Sequence, residues 1–221
     1  MIIGSPDLRP ETSTSAELSA LWTDRTLSGS ATVFHTDFKD KVANALVLDE
    51  NGVPARWSED PNYRLWYSYN VDNATIRGVE LSTRWTQLRA LAFKAGYTYT
   101  DSEQRGGLYD GFPLARTPKH RFNLRADWTP VQGLTLWSAY IHHGKEINAG
   151  ARIGTNGVAL AGNAREYQSY DLVDVGVAWA LNPRVSLNAV LYNIGDKRLD
   201  EATYNTVGSG RRLWVGVTAR F

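Results

Sequence analysis

Few residues in this sequence have the types and spacing that metal binding or catalysis requires. Its four histidines are His35, His120, His142 and His143. Only the last two are adjacent, and adjacent residues of a strand point to opposite faces, which argues against a shared metal ion. The chain has no cysteine, so thiolate ligands, disulfides and a cysteine nucleophile are excluded. We therefore predict no metal site and no cofactor.

The short glycine-containing segments do not match catalytic or phosphate-binding motifs either. Gly208-Ser209-Gly210 has the wrong glycine spacing for a nucleophile elbow, and no G-x-G-x-x-G sequence occurs. Asn73-Ala74-Thr75 fits a glycosylation sequon, a pattern that is frequent by chance. The net charge of +1 gives no electrostatic reason to bind nucleic acid. The sequence predicts neither an enzyme nor a nucleic-acid-binding protein.

Arginine and aromatic residues cluster in long segments between the predicted strands, and we expect any ligand to bind there. The alternative is a tyrosine–tryptophan girdle at a membrane interface with a solvated charged rim. The ligand-binding candidates are Arg56, Trp57, Tyr63, Arg64, Arg105, Tyr109, Tyr204, Arg211 and Arg212, with Trp66, Tyr67 and Tyr69 beside the first group.

Five segments place apolar residues at every second position and end on an aromatic residue. Alternation with a period of two indicates strands with one apolar and one wet face. An aromatic residue at the same end of each strand fits a membrane β-barrel, whose strands leave the hydrocarbon at an aromatic girdle. The segments are 16–22, 79–85, 122–128, 173–179 and 215–221, and they end on Trp22, Trp85, Trp128, Trp179 and Phe221.

Four further segments lie between these five, and together they predict about nine strands of roughly ten residues, suited to crossing a bilayer at a tilt. They are Leu27–Phe38, Leu91–Tyr99, Leu134–His142, which carries apolar residues on both faces, and Val185–Tyr192. Short turns follow the aromatic ends, whereas long connections of about 39–64, 101–119, 143–166 and 193–210 join the other ends. Short turns on one side and long loops on the other are typical of outer-membrane barrels. A soluble β-sandwich that presents its loops as a binding or adhesion module is the alternative.

Several short motifs, in order along the chain, resemble the C-terminal barrel portion of TonB-dependent outer-membrane siderophore receptors. Residues 4–12 resemble the loop G-N-P-x-L-x-P-E, and residues 34–40 a strand end, F-Y-x-x-x-x-D. The other motifs are A-x-x-x-G-V-E with Gly78 and Glu80, R-x-P-x-H with Arg116, Pro118 and His120, N-L-x-D-K with Asn193, and the terminal Phe221.

The resemblance implies an all-β antiparallel meander, with residues 1–221 forming an incomplete segment of a 22-stranded barrel. The plug domain and the N-terminal strands would be absent, and Met1–Pro6 also lacks the features of a signal peptide. It further implies TonB-dependent uptake of a ferric siderophore, often an anionic catecholate, across the outer membrane of a Gram-negative bacterium. The implied partners are membrane lipid, the siderophore, TonB through the absent N-terminal part, and the barrel assembly machinery through the last strand.

The resemblance also implies an orientation in the membrane, with the short turns on the periplasmic side. The aromatic ends Trp22, Trp85, Trp128, Trp179 and Phe221 would mark the periplasmic rim, and Phe221 would be read during barrel assembly. The polar phase of the strands would line the lumen, where its charged residues pair with one another or contact the plug. Its members are Glu80, Arg84, Asn123, Arg125, Asp127, Asp174 and Arg220.

Overall fold

A computed structural model of the chain describes residues 1–4, 6–88, 90–106, 109–148, 152–154, 159–160 and 164–220, and these form an almost entirely β structure. None of the helices in this part of the chain has the length and apolar character to cross a bilayer. The elements are β1 (Ile2–Ile3), β2 (Thr12–Thr23), β3 (Leu27–Leu48), β4 (Trp66–Leu88), β5 (Leu91–Arg105), β6 (His120–Val131), β7 (Leu134–His143), β8 (Glu146–Asn148), β9 (Arg152–Gly154), β10 (Ala159–Leu160), β11 (Arg165–Tyr167), β12 (Tyr170–Asn182), β13 (Val185–Tyr192), α1 (Glu201–Tyr204) and β14 (Arg212–Ala219).

Nine long strands pair in chain order as an antiparallel meander, β2-β3-β4-β5-β6-β7-β12-β13-β14. Short strands attach to the long-connection ends of two interior strands: β1 runs parallel to β4, and β9, itself paired with β10, runs parallel to β3. A separate two-stranded ladder joins β8 to β11. The nine long strands therefore form one open sheet rather than the two packed sheets of a sandwich, which confirms the predicted meander.

The strand register separates the predicted apolar and polar phases onto two faces along the whole sheet. Leu18, Val33 and Val79 lie opposite one another across β2, β3 and β4, and we call their side the apolar face. Glu17 and Glu80 lie on the other side, the polar face, which also carries Asp174 in β12. The register resolves the ambiguous strand β7, because Leu136 stands opposite Trp128 on the apolar face. The side chains of Trp137 and Ile141 consequently belong to the polar face.

Four tryptophans lie at one level of the apolar face, next to the short turns. Trp22 pairs with Gly29, Trp85 with Leu27, Trp128 with Leu136, and Trp179 with Leu187. The exposed fractions of Trp22, Trp128 and Trp179 are 40%, 49% and 44%, so their rings remain on the surface of the sheet. Phe221, the fifth predicted member of this girdle, lies outside the described residues.

The turns below the tryptophans are short, as predicted. Residues 24–26 join β2 to β3, and pairs of residues join β4 to β5, β6 to β7 and β12 to β13. Gly133 adopts a φ of 84° in the turn between β6 and β7, a conformation that favours glycine. The opposite ends of the strands are joined by the long connections, so the predicted alternation of connection lengths is confirmed.

The first long connection is shorter than predicted, because β3 and β4 continue as a paired ladder to Leu46 and Trp66. Trp66, Tyr67 and Tyr69 are therefore strand residues rather than loop residues. The extension is supported on both sides, by β1 against Trp66 and Tyr67 and by β9 against residues 46–48. Pairing with distant segments of the chain thus extends the hairpin beyond the alternating region.

Secondary structure also occupies the later connections, which the sequence predicted as loops. β5 continues to Arg105, β8, β9 and β10 lie within residues 143–166, and the single-turn helix α1 lies within residues 193–210. Asp200 caps α1, because its Oδ1 accepts a hydrogen bond of 2.8 Å from the backbone N–H of Thr203.

Most buried apolar side chains of the described residues lie at the long-loop end of the sheet. Ala45, Val47 and Leu48 are buried in the extension of β3, and Tyr167 and Leu199 are buried in the later connections. Near the tryptophan level, by contrast, large apolar side chains such as Val217, at 67%, remain exposed on the apolar face. The sheet therefore leaves an apolar surface available while its loop end is packed.

Candidate ligand site at the long-loop end

A polar and aromatic cluster lies on the polar face where β6, β7 and β12 reach the long connections. Arg121, His143 and Tyr170 stand opposite one another in these three neighbouring strands. The His143 ring stacks on Tyr170 with a centroid distance of 4.9 Å and an interplanar angle of 11°. His143 Nε2 lies 2.7 Å from Oε1 of Glu146, whose side chain is only 7% exposed. The three strands thus hold a buried carboxylate beside stacked rings.

The connection 193–211 is docked onto this cluster through α1. Asn205 donates from Nδ2 to Oε2 of Glu146 at 3.4 Å, and Tyr204 packs edge-on against Tyr170 at 5.9 Å. Two backbone carbonyls of α1 accept further bonds: Arg165 Nη2 donates to the oxygen of Ala202 at 2.6 Å, and the N–H of Gln168 to that of Thr203 at 2.9 Å. We call the residues His143, Glu146, Tyr170, Tyr204 and Asn205 the loop clasp.

Cationic side chains and aromatic rings surround the Glu146 carboxylate of the loop clasp. Lys197 Nζ lies 4.8 Å from the centre of the Tyr204 ring. Tyr170 is the first residue of β12 and lies beyond the apolar band. Burial raises the pKa of its phenol. The charge of Glu146 raises this pKa further, whereas the charge of Arg121 lowers it. The phenol of Tyr170 therefore stays protonated at neutral pH and can donate a hydrogen bond. Cations, aromatic faces and a phenol donor are thus brought together at one end of the polar face.

The first group of predicted ligand residues lies at the tip of the β3–β4 hairpin. Arg56 and Arg64 face each other across an isolated β-bridge, and Arg56 Nη1 donates to the carbonyl oxygen of Pro61 at 3.3 Å. Trp57 and Tyr63 pack edge to face with ring centroids 6.5 Å apart. The structure brings these four residues together at the hairpin tip.

Tyr109 and Arg105 lie in two different environments. Tyr109 is 7% exposed and packs against Tyr69 and Ile147, joining the β3–β4 hairpin, the β5–β6 connection and β8. Arg105 is exposed opposite Asn73 at the end of β5, where its charge acts on Asp37. Tyr109 thus contributes to loop packing, and the two residues do not share a site.

Of the last three predicted ligand residues, Tyr204 belongs to the loop clasp. The backbone N–H of Arg211 donates to Asp196 Oδ1 at 2.7 Å, and the guanidinium of Arg212 lies 5.3 Å from the centre of the Tyr192 ring. Six residues around this site were not among the predicted ligand residues: Arg121, His143, Glu146, Tyr170, Lys197 and Asn205. The alternation of β6 and β7 places Arg121 and His143 on the polar face. The other four residues are positioned by contacts between connections that are distant in the sequence.

Two of the motif residues have clear structural contacts. Asn193 is 6% exposed and has a φ of 51°. Its Nδ2 donates to the Lys197 carbonyl at 2.7 Å, its Oδ1 accepts from the Lys197 N–H at 2.9 Å, and its own N–H donates to Asp174 Oδ1 at 2.7 Å. At Gly78, a Cβ atom would lie 2.1 Å from the Tyr99 carbonyl and 2.7 Å from the Phe34 ring. Asn193 therefore shapes the turn after β13, whereas Gly78 allows close approach within β4.

The remaining described motif residues lie on both faces of the sheet and in the β5–β6 connection. Glu80 is exposed on the polar face, Arg116 has a φ of 58°, and Pro118 lies two residues before β6. His120 is on the apolar face, where its Nδ1 lies 2.8 Å from the Tyr97 hydroxyl. Within the described ranges, no three His, Asp or Glu side chains are grouped to hold a metal ion.

A band of polar side chains lines the apolar face on the long-loop side of the apolar residues, and we call it the polar belt. Its members are Arg77, Asp101, Lys119, Tyr140, His142 and Asp171. Asp101 accepts from Arg77 Nη2 at 2.8 Å and lies 3.4 Å from Lys119 Nζ, while Asp171 lies within 2.8 Å of both Tyr140 and His142. Because His142 joins the belt and His143 joins the clasp, the two rings point to opposite faces, as expected.

A family model described as "TonB dependent receptor-like, beta-barrel" matches residues 1–194. The chain is 34% identical over 224 residues to the iron-regulated outer membrane virulence protein of Vibrio cholerae, covering 100% of this chain and 32% of the relative. It is 25% identical over 234 residues to the ferric enterobactin receptor of Pseudomonas aeruginosa, covering 99% of this chain and 30% of that protein. The chain thus spans about a third of the length of these relatives.

Solved structures show the same fold. The P. aeruginosa ferric enterobactin receptor in complex with enterobactin superposes with a TM-score of 0.73 at 23% identity, covering 99% of this chain and 32% of that chain. The siderophore receptor PirA from Acinetobacter baumannii superposes with a TM-score of 0.72 at 17% identity, over 100% of this chain and 33% of that chain.

Proposed function

Because this chain belongs to the TonB dependent receptor-like β-barrel family, we propose that it forms part of the wall of an outer-membrane receptor for a ferric siderophore. The observation that carries the proposal is the match along the entire chain to an iron-regulated outer membrane protein. The open meander and the exposed apolar face support it, since a barrel wall needs lipid on one side and a polar lumen on the other. The family consists of receptors and transporters rather than enzymes.

The proposed position of the chain is the C-terminal part of the barrel, with the short turns in the periplasm and the long connections outside the cell. The four aligned tryptophans then form the periplasmic girdle, and the polar face lines the lumen around a plug domain. TonB would act through that plug, and the last strand with Phe221 would be recognised by the barrel assembly machinery. These partners belong to the proposal for the whole receptor.

The proposed substrate class is a ferric catecholate. Relatives named as ferric enterobactin receptors support this choice, and so does the chemistry of the loop clasp. A ferric catecholate is anionic and aromatic, so Lys197, Arg121 and the tyrosine rings could contact it through charge and stacking. The hairpin tip also carries cations and aromatic rings, and it could make the first contact with a ligand that arrives from outside. Its residues are Arg56, Trp57, Tyr63 and Arg64.

Uptake of radioactive iron tests this function. The native gene would be expressed in an Escherichia coli strain that neither makes nor imports enterobactin, with and without TonB. We expect uptake of ferric enterobactin only when both the gene and TonB are present. Ferrichrome loaded with the same iron isotope and vitamin B12 labelled with radioactive cobalt serve as the comparison substrates, because the names of two other relatives specify them. If only vitamin B12 were taken up, the ferric catecholate would be the wrong substrate class. Uptake without TonB would contradict TonB-dependent transport.

A further inference from the structure

Three cations stand side by side on the polar face, in three neighbouring strands. Arg84 of β4 lies directly opposite Lys94 of β5, and Lys94 lies directly opposite Arg125 of β6. Like charges that face each other across paired strands destabilise a sheet. A negative partner would remove this repulsion, and we call the three residues the basic row.

The carboxylate of Asp127 neutralises one member of the basic row. Arg125 binds it through Nε at 2.9 Å and through Nη2 at 2.6 Å, while the same guanidinium lies 4.3 Å from the centre of the Trp137 ring. Arg84 and Lys94 are exposed, and neither forms an ion pair within the part of the chain that the structure describes. Three cations and one carboxylate leave an excess of two positive charges, which Arg84 and Lys94 carry.

The other carboxylates near the basic row are too distant to pair with it. Glu80 precedes Arg84 by four residues, about 13 Å along β4. Asp174 stands two strands beyond Arg125, about 10 Å away, and it already accepts a hydrogen bond from the turn after β13. Asp24 follows β2, two strands away from Arg84. At physiological ionic strength the Debye length is about 8 Å, so attraction over these distances is largely screened.

The basic row lies near the short-turn end of the polar face. Arg84 immediately precedes Trp85, one of the four aligned tryptophans. The loop clasp lies at the other end, beside Arg121, which precedes Arg125 by four residues on β6. The two arginines of β6 are therefore about 13 Å apart on one face of the sheet.

The wall between these two levels is polar but uncharged in β4, β5 and β6. Asn123 lies between Arg121 and Arg125, opposite Gly96, and Ser82 lies opposite Gly96 on the other side. The Asn123 amide covers the glycine, because a Cβ there would lie 2.7 Å from Nδ2. An amide and a hydroxyl can both donate hydrogen bonds to an anion. An anion could thus move from Arg121 to the basic row without passing a carboxylate on these three strands.

We propose that the basic row is a second subsite for the anionic ferric chelate, on the periplasmic side of the lumen. The chelate would occupy it after leaving the level of the loop clasp. This inference rests on the proposed function, since it requires a ferric catecholate to travel along the polar face. A polyanionic chelate matches the excess charge of Arg84 and Lys94, whereas an uncharged chelate would gain little there.

Separate measurements of binding and uptake by the whole receptor test this subsite. Ferric enterobactin labelled with radioactive iron would be titrated onto cells without TonB to measure binding from outside. The initial uptake rate per folded receptor would be measured in cells with TonB. We expect the combined Arg84→Gln and Lys94→Gln variant to bind with unchanged affinity and to take up the chelate about tenfold more slowly.

Two further variants control for charge and position. The exchange Arg84→Lys with Lys94→Arg keeps both charges, so uptake should remain close to that of the unsubstituted receptor. Arg184→Gln removes an exposed cation from the turn between β12 and β13, at the same end of the sheet but outside the basic row, and should leave uptake unchanged. Heat-dependent gel mobility would give the amount of folded receptor for each variant.

The outcomes separate the subsite from the proposed function. An unsubstituted receptor that neither binds nor takes up ferric enterobactin would overturn the proposed function and the subsite with it. A functional receptor whose double variant takes up the chelate at the native rate would overturn the subsite alone. If the basic row instead held a carboxylate of the plug domain, the double variant should loosen the plug and make cells without TonB sensitive to vancomycin. That sensitivity would also overturn the subsite.

Discussion

Glu146 joins two long connections through its two carboxylate oxygens, and His143 is its partner on the strand side. Nε2 of His143 lies 2.7 Å from Oε1, and Nδ2 of Asn205 lies 3.4 Å from Oε2. With an exposed fraction of only 7%, this carboxylate has little access to water that could replace either partner. The connection 193–211 is therefore held over the polar face by this buried carboxylate together with the contacts of α1.

Glu146→Ala should release the connection 193–211. Losing the buried carboxylate leaves His143 and Asn205 without their partner, at a cost of about 1–3 kcal/mol. Hydrogen exchange of residues 199–205 should accelerate, and the affinity for ferric enterobactin should fall. Glu146→Gln retains a side-chain oxygen and a similar volume, so its effect should be smaller. Unchanged exchange in Glu146→Ala would show that α1 is held without the clasp.

Asn193→Ala should destabilise the turn after β13. The substitution removes two side-chain hydrogen bonds to Lys197 and places an alanine at a φ of 51°. Each bond contributes about 1 kcal/mol and the left-handed backbone costs roughly 1–2 kcal/mol more. Asn193→Gly tolerates that backbone and isolates the loss of the bonds, so its denaturant midpoint should lie between those of Asn193→Ala and the wild type. Identical denaturant midpoints for Asn193→Gly and Asn193→Ala would show that the left-handed backbone adds nothing to the loss of stability.

Val175→Arg and Asp174→Asn test the assignment of the two faces. Val175 lies on the apolar face opposite Ser138 and Leu191, so arginine there should cost roughly 2–4 kcal/mol in a bilayer and impair assembly. Asp174→Asn keeps an oxygen that can accept from the N–H of Asn193, so assembly should be nearly normal. The amount of heat-resistant folded receptor in outer membranes measures both effects. Equal losses at the two positions would mean that the faces are misassigned.

Gly78→Ala should interfere with the pairing of β4 and β5. The added Cβ would meet the Tyr99 carbonyl at 2.1 Å, and a backbone oxygen cannot move without disturbing the ladder. Overpacking of this kind costs about 1–3 kcal/mol. Gly195→Ala is the matched control, because no atom lies within 4 Å of its new Cβ. A Gly78→Ala receptor as stable as the control would contradict the close approach.

The sequence predicted the strands best where one face is apolar and the other wet. The segment Val185–Tyr192 was predicted with the bounds that β13 has, because apolar residues fill one phase from Val185 to Leu191 and connections delimit it at both ends. The extension of β3 was missed because Ala45, Leu46, Val47 and Leu48 are consecutive apolar residues, which removes the period of two. There the pairing of β3 with β9, and of its partner β4 with β1, determines the structure, and both short strands are distant in the sequence.

The candidate site was harder to predict for a related reason. Arg121 and His143 follow the polar phase of their strands, so their face was accessible from the sequence. Glu146 and Asn205 are 59 positions apart, and their contact depends on how two long connections dock. Composition identified Tyr204 as a candidate, but nothing local in the sequence indicates that its ring meets Tyr170.

Thiol labelling in whole cells tests most directly whether these strands cross the outer membrane with their long connections outside. The chain contains no cysteine, so one substitution supplies its only thiol. Glu59→Cys at the exposed tip of the β3–β4 hairpin should react with a membrane-impermeant maleimide on intact cells, with the unsubstituted receptor as the background. Gln132→Cys, in the turn between β6 and β7, should react only after the outer membrane is permeabilised. Labelling of Gln132→Cys in intact cells, or protection of Glu59→Cys, would contradict the account.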